Sequence, residues 1–134
     1  MTQKDKELLL KDLCARLPYM TKVRRYRYTT PIDSIQSVEL LGLGWLEELY
    51  GEEAEFKPYL FPLSSMTEEQ KESSPFEPSL LNAFINGHIS LFEDEELNID
   101  DLNRLYDWFN KNHFDYRGLI EKGLAIDATG LNIY

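Results

Sequence analysis

His113, Asp115, Tyr116 and Arg117 set a base, a carboxylate, a phenol and a fixed cation within five positions of one another. That mixture suits acid–base chemistry if a cleft lies beside it. His88 is the only other histidine, so a metal centre on His113 and Asp115 would need further ligands that the sequence does not place. No metal or cofactor is expected. A second group lies earlier: Lys22, Arg24, Arg25 and Arg27 hold four of the fourteen basic residues and alternate with Tyr26 and Tyr28. On a strand, Lys22, Arg24, Tyr26 and Tyr28 share one face, and Val23, Arg25 and Arg27 the other. Arginine beside tyrosine can stack on bases or clamp an acidic peptide. The competing expectation is an edge strand guarded against aggregation by positive charge and paired to neighbouring carboxylates.

Other reactive patterns are incomplete. Residues 42–44 read GLG, but a dinucleotide-binding turn needs a third glycine where Glu47 stands. Neither GxxxxGK[ST] nor GxSxG occurs, which removes the usual phosphate cradle and the serine elbow. Cys14, the only cysteine, falls on a leucine-lined helix face and is expected to be a core thiol. The acidic stretch Glu93 to Asp101 lacks the glycine an EF-hand loop requires, with Ile99 in its place. Glu47–Glu48 and Glu52–Glu53 are sequence neighbours and do not by themselves face each other across a cleft.

The chain carries 24 acidic against 14 basic side chains, a net charge of −10. Its average surface therefore repels phosphate backbones and anionic lipid, so duplex nucleic acid and membranes are not expected partners, whereas a protein partner is. A single cysteine excludes an internal disulfide, and no secretory or membrane-spanning pattern is visible; a cytoplasmic setting is expected. At 134 residues the chain reads as one domain over 1–134, with a potential mobile loop at 73–78.

The elements that must position these residues follow from periodicity. Leu10, Leu13, Cys14 and Leu17 predict a helix over 4–17, stopped by Pro18. KVRRYRYT predicts a strand from Lys22 to Thr29. Residues 35–50 fit paired strands around a glycine bend, although a helix over 45–50 also fits. Phe56 to Leu63, with Pro58 and Pro62, predicts an edge strand or ordered loop rather than a central strand. Thr67 and Gln70 form a capping box for a short helix over 68–72. Residues 80–92 are ambiguous between helix and strand, and Glu93–Glu96 reads as a solvated turn. Asn98 caps a helix whose stripe is Leu102, Leu105, Tyr106 and Phe109, leaving Trp108 either beside the core or projecting outward. A short helix at 119–122 and a final extended piece complete the chain.

Three stretches, KDLCARLPY (Lys11–Tyr19), KPYLFPLSSMTEE (Lys57–Glu69) and NKNHFDYRGLIEKGLAID (Asn110–Asp127), resemble a family of short uncharacterised proteins common in gut-dwelling Bacteroidales genomes, their phages and mobile elements. The sequence departs from the family pattern at Met20, where the resemblance implies glycine, and at Phe61, where it implies arginine. The resemblance implies a genomic setting and no mechanism. The architecture expected is α+β: a small antiparallel sheet with an N-terminal helix, and C-terminal helices packed on one sheet face. The expected function is a non-catalytic, acidic protein-interaction module of phage or mobile-element type. The alternatives are a small enzyme built on His113, Asp115, Tyr116 and Arg117, or an acidic decoy that imitates nucleic acid before a host defence protein.

Overall fold

In a computed structural model, which describes residues 2–27, 30–31, 34–40, 55–85 and 99–134, the chain is α+β. Helix α1 (Gln3–Arg16) starts at a capping box: the Thr2 hydroxyl accepts from the Asp5 N–H at 3.1 Å, and the Asp5 carboxylate accepts from the Thr2 N–H at 3.2 Å. These bonds satisfy donors that a helix start leaves unpaired. Pro18 sits in a 3-10 turn, Leu17–Tyr19, after which Met20 adopts φ 56°. Left-handed backbone costs a side-chain-bearing residue roughly 1–2 kcal/mol.

Strand β1 (Lys22–Arg27) is antiparallel to β2 (Thr30–Pro31) and β3 (Gln36–Ser37) on one side and to β4 (Glu55–Pro62) on the other. It is therefore an interior strand, which corrects the edge-strand expectation. A 3-10 turn follows β3 at Val38–Leu40. Strand β4 also pairs in parallel with β5 (Phe114–Asp115) and β6 (Ile126–Asp127), so the sheet is mixed rather than wholly antiparallel, with β4 at its centre. The central position of β4, despite two prolines, follows from parity. The Phe61 N–H donates to the His113 carbonyl at 2.8 Å, while the Leu60 carbonyl accepts from the Ala128 N–H at 2.8 Å. Odd-numbered backbone groups thus face β5 and even-numbered ones face β6. Pro58 and Pro62 are even, so their missing N–H groups bracket the two-residue contact with β6 and remove no rung elsewhere.

Helices α2 (Glu68–Ser73) and α3 (Pro78–Ile85) follow, then α4 (Ile99–Lys111). The Thr67–Gln70 capping box is present, at 3.1 and 2.8 Å. Between α2 and α3, Ser74 closes a turn onto the Phe76 backbone. The predicted helix at 119–122 is instead a hydrogen-bonded turn, because Gly118 and Gly123 leave the helical region at φ 72° and 73° on either side of it. Tyr28, residues 41–54 and 86–98, and the side chains of Leu80 and Leu102 lie outside the described residues; with them lie the glycine bend, the acidic turn and the Asn98 cap.

Two apolar clusters hold these elements. Leu9, Leu13, Val23, Val38, Phe56, Leu60, Leu119 and Leu124 form one. Met66, Leu81, Leu105, Phe109 and Phe114, flanked by Phe61 and Trp108, form the other. Alternation along β4 sends Leu60 to the first and Phe61 to the second. Trp108 flanks the core, stacked on Phe114 with centroids 5.6 Å apart.

On α1 the buried face is Leu9, Asp12, Leu13 and Arg16, not the Leu10–Leu13–Cys14–Leu17 stripe. Cys14 is exposed, and the face is rotated because Asp12 and Arg16 turn inward as a bonded pair. Native-state labelling of Cys14 by a maleimide should therefore reach one equivalent without denaturant; protection until unfolding would contradict the placement of α1. Leu105 is fully buried and Asp107 exposed. Truncating Leu105 to alanine should cost about 2–5 kcal/mol and lower the melting temperature, whereas Asp107→Ala should melt with the parent.

Candidate functional site

The residues between α4 and the 118–123 turn converge on α1. His113, at φ 62°, ends the turn after α4 with its N–H donating to the Asn110 carbonyl at 3.2 Å. This bend points its ring away from Asp115, which lies on β5. The imidazole Nδ1 is hydrogen-bonded to the Thr21 hydroxyl at 3.0 Å, and the ring stacks on Tyr134 at 3.8 Å and 14°. Burial, with Arg16 and Lys22 nearby, holds its pKa down to about 4. At neutral pH the ring is uncharged.

Asp115 is buried, and its two carboxylate oxygens accept from the Leu119 and Ile120 N–H groups, each at 2.9 Å. It organises the 118–123 turn. The Tyr116 hydroxyl donates to Asn110 Oδ1 at 3.1 Å and accepts from Arg117 Nη2 at 2.9 Å. Burial pushes that phenol's pKa up. The Tyr116 ring stacks on Phe109 with centroids 5.4 Å apart and lies 4.8 Å from the Arg117 guanidinium and 5.5 Å from that of Arg16.

Below this ring lies a charged core that the sequence reading did not foresee. Asp12 Oδ2 accepts from Arg16 Nε at 2.8 Å and Asp12 Oδ1 from Arg117 Nε at 3.3 Å. Arg16 Nη2 donates to the Phe114 carbonyl at 2.7 Å, and both Asp12 and Arg16 are sealed from solvent. Arg16 Nη1 is buried with no hydrogen-bond partner. The signal for this pair was its i, i+4 spacing in sequence, which also describes countless surface pairs.

Thus, of the four residues that the enzyme alternative requires, Tyr116 and Arg117 are bonded to each other, while His113 and Asp115 aim elsewhere. His113 faces Thr21 and Tyr134, Asp115 faces backbone amides, and Tyr116 and Arg117 face Asn110 and Asp12. Among the described residues, no three His, Cys, Asp or Glu side chains are grouped to hold a metal ion. A groove lined by Lys4, Asp5, Glu7, Leu8, Lys11 and Lys122 lies along the start of α1 and includes no residue of either predicted group.

The second group follows the predicted alternation as far as it is described. Val23 is buried, Arg25 half-buried with its Nε enclosed, and Arg27 exposed. On the other face, Arg24 stands opposite Lys57, and Lys57 Nζ lies 5.5 Å over the Tyr26 ring. Burial, with Tyr59 nearby, raises the Tyr26 pKa.

No protein-family model, curated protein or solved structure matches this chain.

Removing Asp12 leaves Arg16 buried without its counter-ion, so Asp12→Ala should cost about 3–5 kcal/mol in chemical denaturation; a loss below 1 kcal/mol would show that the pair is not sealed. His113 contributes with a defined sign. Its folded pKa is below the ordinary 6.5, so its neutral form stabilises the fold fully above pH 6.5, and that stability is lost as pH falls towards 4. NMR titration of the imidazole should give a midpoint near 4, and a midpoint of 6–7 would place the ring in solvent.

Proposed function

We propose that this protein is a non-catalytic interaction module of the cytoplasm that binds an acidic segment of a protein partner through β1 and the adjoining part of β4. The observation that carries this reading is the cationic and aromatic face formed by Arg24, Lys57 and Tyr26 in a chain of net charge −10. Guanidinium groups match carboxylates in two-bond geometry, and a tyrosine between them supplies rigid contact area. The internal bonding of His113, Asp115, Tyr116 and Arg117 supports the reading from the other side, since each of these side chains makes a hydrogen bond that holds the fold. No helix among the described residues is long and apolar enough to cross a membrane. The family resemblance supports a partner encountered by phages or mobile elements.

The double variant Arg24→Ser, Lys57→Ser removes the two cations of this face, leaves Arg25 on the opposite face in place, and tests this surface. Side-by-side capture from a bacterial lysate should retain a partner on the parent and lose it on the variant, with melting temperatures within a few degrees. Capture by the parent should also weaken as salt rises from about 0.1 to 1 M, where screening shortens from roughly 10 to 3 Å. Undiminished capture by the variant would remove β1 as the contact strand, and retention of duplex DNA at physiological salt would favour a different class of partner.

A further inference from the structure

The register of β1 against β4 pairs Val23 with Pro58, so the next rung would join Lys22 to Tyr59. That rung is not closed by the strands. The Lys22 N–H donates to the Tyr134 hydroxyl at 2.7 Å, and the Tyr134 hydroxyl donates to the Tyr59 carbonyl at 2.7 Å. A phenol thus stands where a main-chain hydrogen bond would be. Its ring stacks on His113 at 3.8 Å and meets the Phe61 ring with centroids 5.7 Å apart. On the β4 edge the slot lies between β1 at Val23 and β5 at Phe114, which pairs with Phe61.

The chemistry of this slot is narrow. One donor and one acceptor face a single hydroxyl, and a flat neutral ring forms one wall, so the site fits a group that gives one proton, accepts one and is planar. A phenol meets all three conditions. A phenyl ring leaves both backbone groups unpaired, and a phosphorylated phenol brings charge to the Tyr59 carbonyl. Burial raises the Tyr134 pKa, which keeps the occupant protonated and able to donate.

The segment carrying Tyr134 is lightly held. Thr129, Gly130, Leu131 and Asn132 are exposed, with Gly130 and Asn132 at φ 78° and 56°. Past the Ala128 N–H on Leu60, the hydrogen bonds of this segment within the described residues are local turns and the Tyr134 hydroxyl. Tyr134 itself remains 41% exposed, so an incoming ring has access to the slot's mouth while the resident ring leaves.

We propose that this slot is a recognition site for a tyrosine side chain, occupied at rest by Tyr134 and taken over by a tyrosine of a partner polypeptide when residues 129–134 lift away. The proposal stands apart from the basic face of β1: either surface can bind without the other. Mild acid weakens occupancy of the slot by either ring. His113 is faced by Tyr134, Thr21, Arg16 and Lys22, and its protonation beside those two cations opposes a stacked, buried ring, so the slot loosens as pH falls below 6.5.

The test uses the full chain with Tyr134→Gly and p-cresol as probe. Saturable binding of one p-cresol should move the NMR signals of His113, Lys22 and Phe61 together. Toluene, lacking the hydroxyl, should bind about tenfold more weakly for loss of its two hydrogen bonds, p-tolyl phosphate should leave those signals unmoved, and the parent should bind p-cresol more weakly than the variant because Tyr134 competes. Equal affinity for p-cresol and toluene, no p-cresol binding to the folded variant, or shifts elsewhere in the chain would overturn the assignment. A second variant, Tyr134→Phe, keeps the ring and removes the hydroxyl. Its Lys22 amide should exchange with solvent about tenfold faster than in the parent while Val23 is unchanged, and unaltered Lys22 exchange would equally refute the slot.

Discussion

Arg16 is fully enclosed, and an enclosed guanidinium dictates much of what surrounds it. A buried charge costs several kcal/mol unless it is paired and bonded. Asp12 one helical turn earlier supplies the counter-charge, and the Phe114 carbonyl supplies an acceptor from a distant part of the chain. The second requirement fixes β5 against α1, and β5 in turn fixes Phe61 and the centre of the sheet. Arg117 then shares Asp12, which ties the loop beyond β5 to the same point. One carboxylate thereby sets the relation of α1, β5 and the 116–117 loop, and the aromatic ring of Tyr116 lies against both cations.

This dependence explains why α1 was legible as a helix but not in its orientation. Leucine spacing along 4–17 is sufficient to call for a helix, and the Thr2–Asp5 cap and Pro18 mark its ends. Which face turns inward depends on partners nearly a hundred residues away, and hydrophobic spacing carries no information about them. Cys14 was consequently placed inside and stands outside. The same limit applies to β4. Two prolines argue against a central strand until it is known which edge their missing N–H groups face, and that is decided by β5 and β6. Where local chemistry suffices, the agreement is close: the Thr67–Gln70 box, the alternation of β1 and the Leu105–Phe109 stripe all stand as their residue types require.

The candidate site was legible as a cluster and not as a set of contacts. His113, Asp115, Tyr116 and Arg117 are near one another because the sequence makes them so. On β5 and its flanks, successive side chains leave the backbone in opposite directions, and His113 adds a left-handed bend. Tyr116 and Arg117 still meet each other, but His113 and Asp115 are turned to other partners. Asn110, Asp12, Thr21 and Tyr134, which receive them, are ordinary residues in sequence and become meaningful only through the fold.

The parallel pairing of β4 with β5 and β6 also bears on how the protein comes off the ribosome. Synthesis proceeds from the N-terminal side, and the partners that cover the far end of β4 are not made until residues 114 and 126. Until β5 and β6 emerge, a strand with an apolar face waits with that part of its backbone unpaired by them, the condition under which nascent chains associate wrongly. Pro58 and Pro62 stand on the edge that is covered last. A passing strand finds only interrupted donors there, so residues that look ill-suited to the centre of a sheet protect it while it is still incomplete.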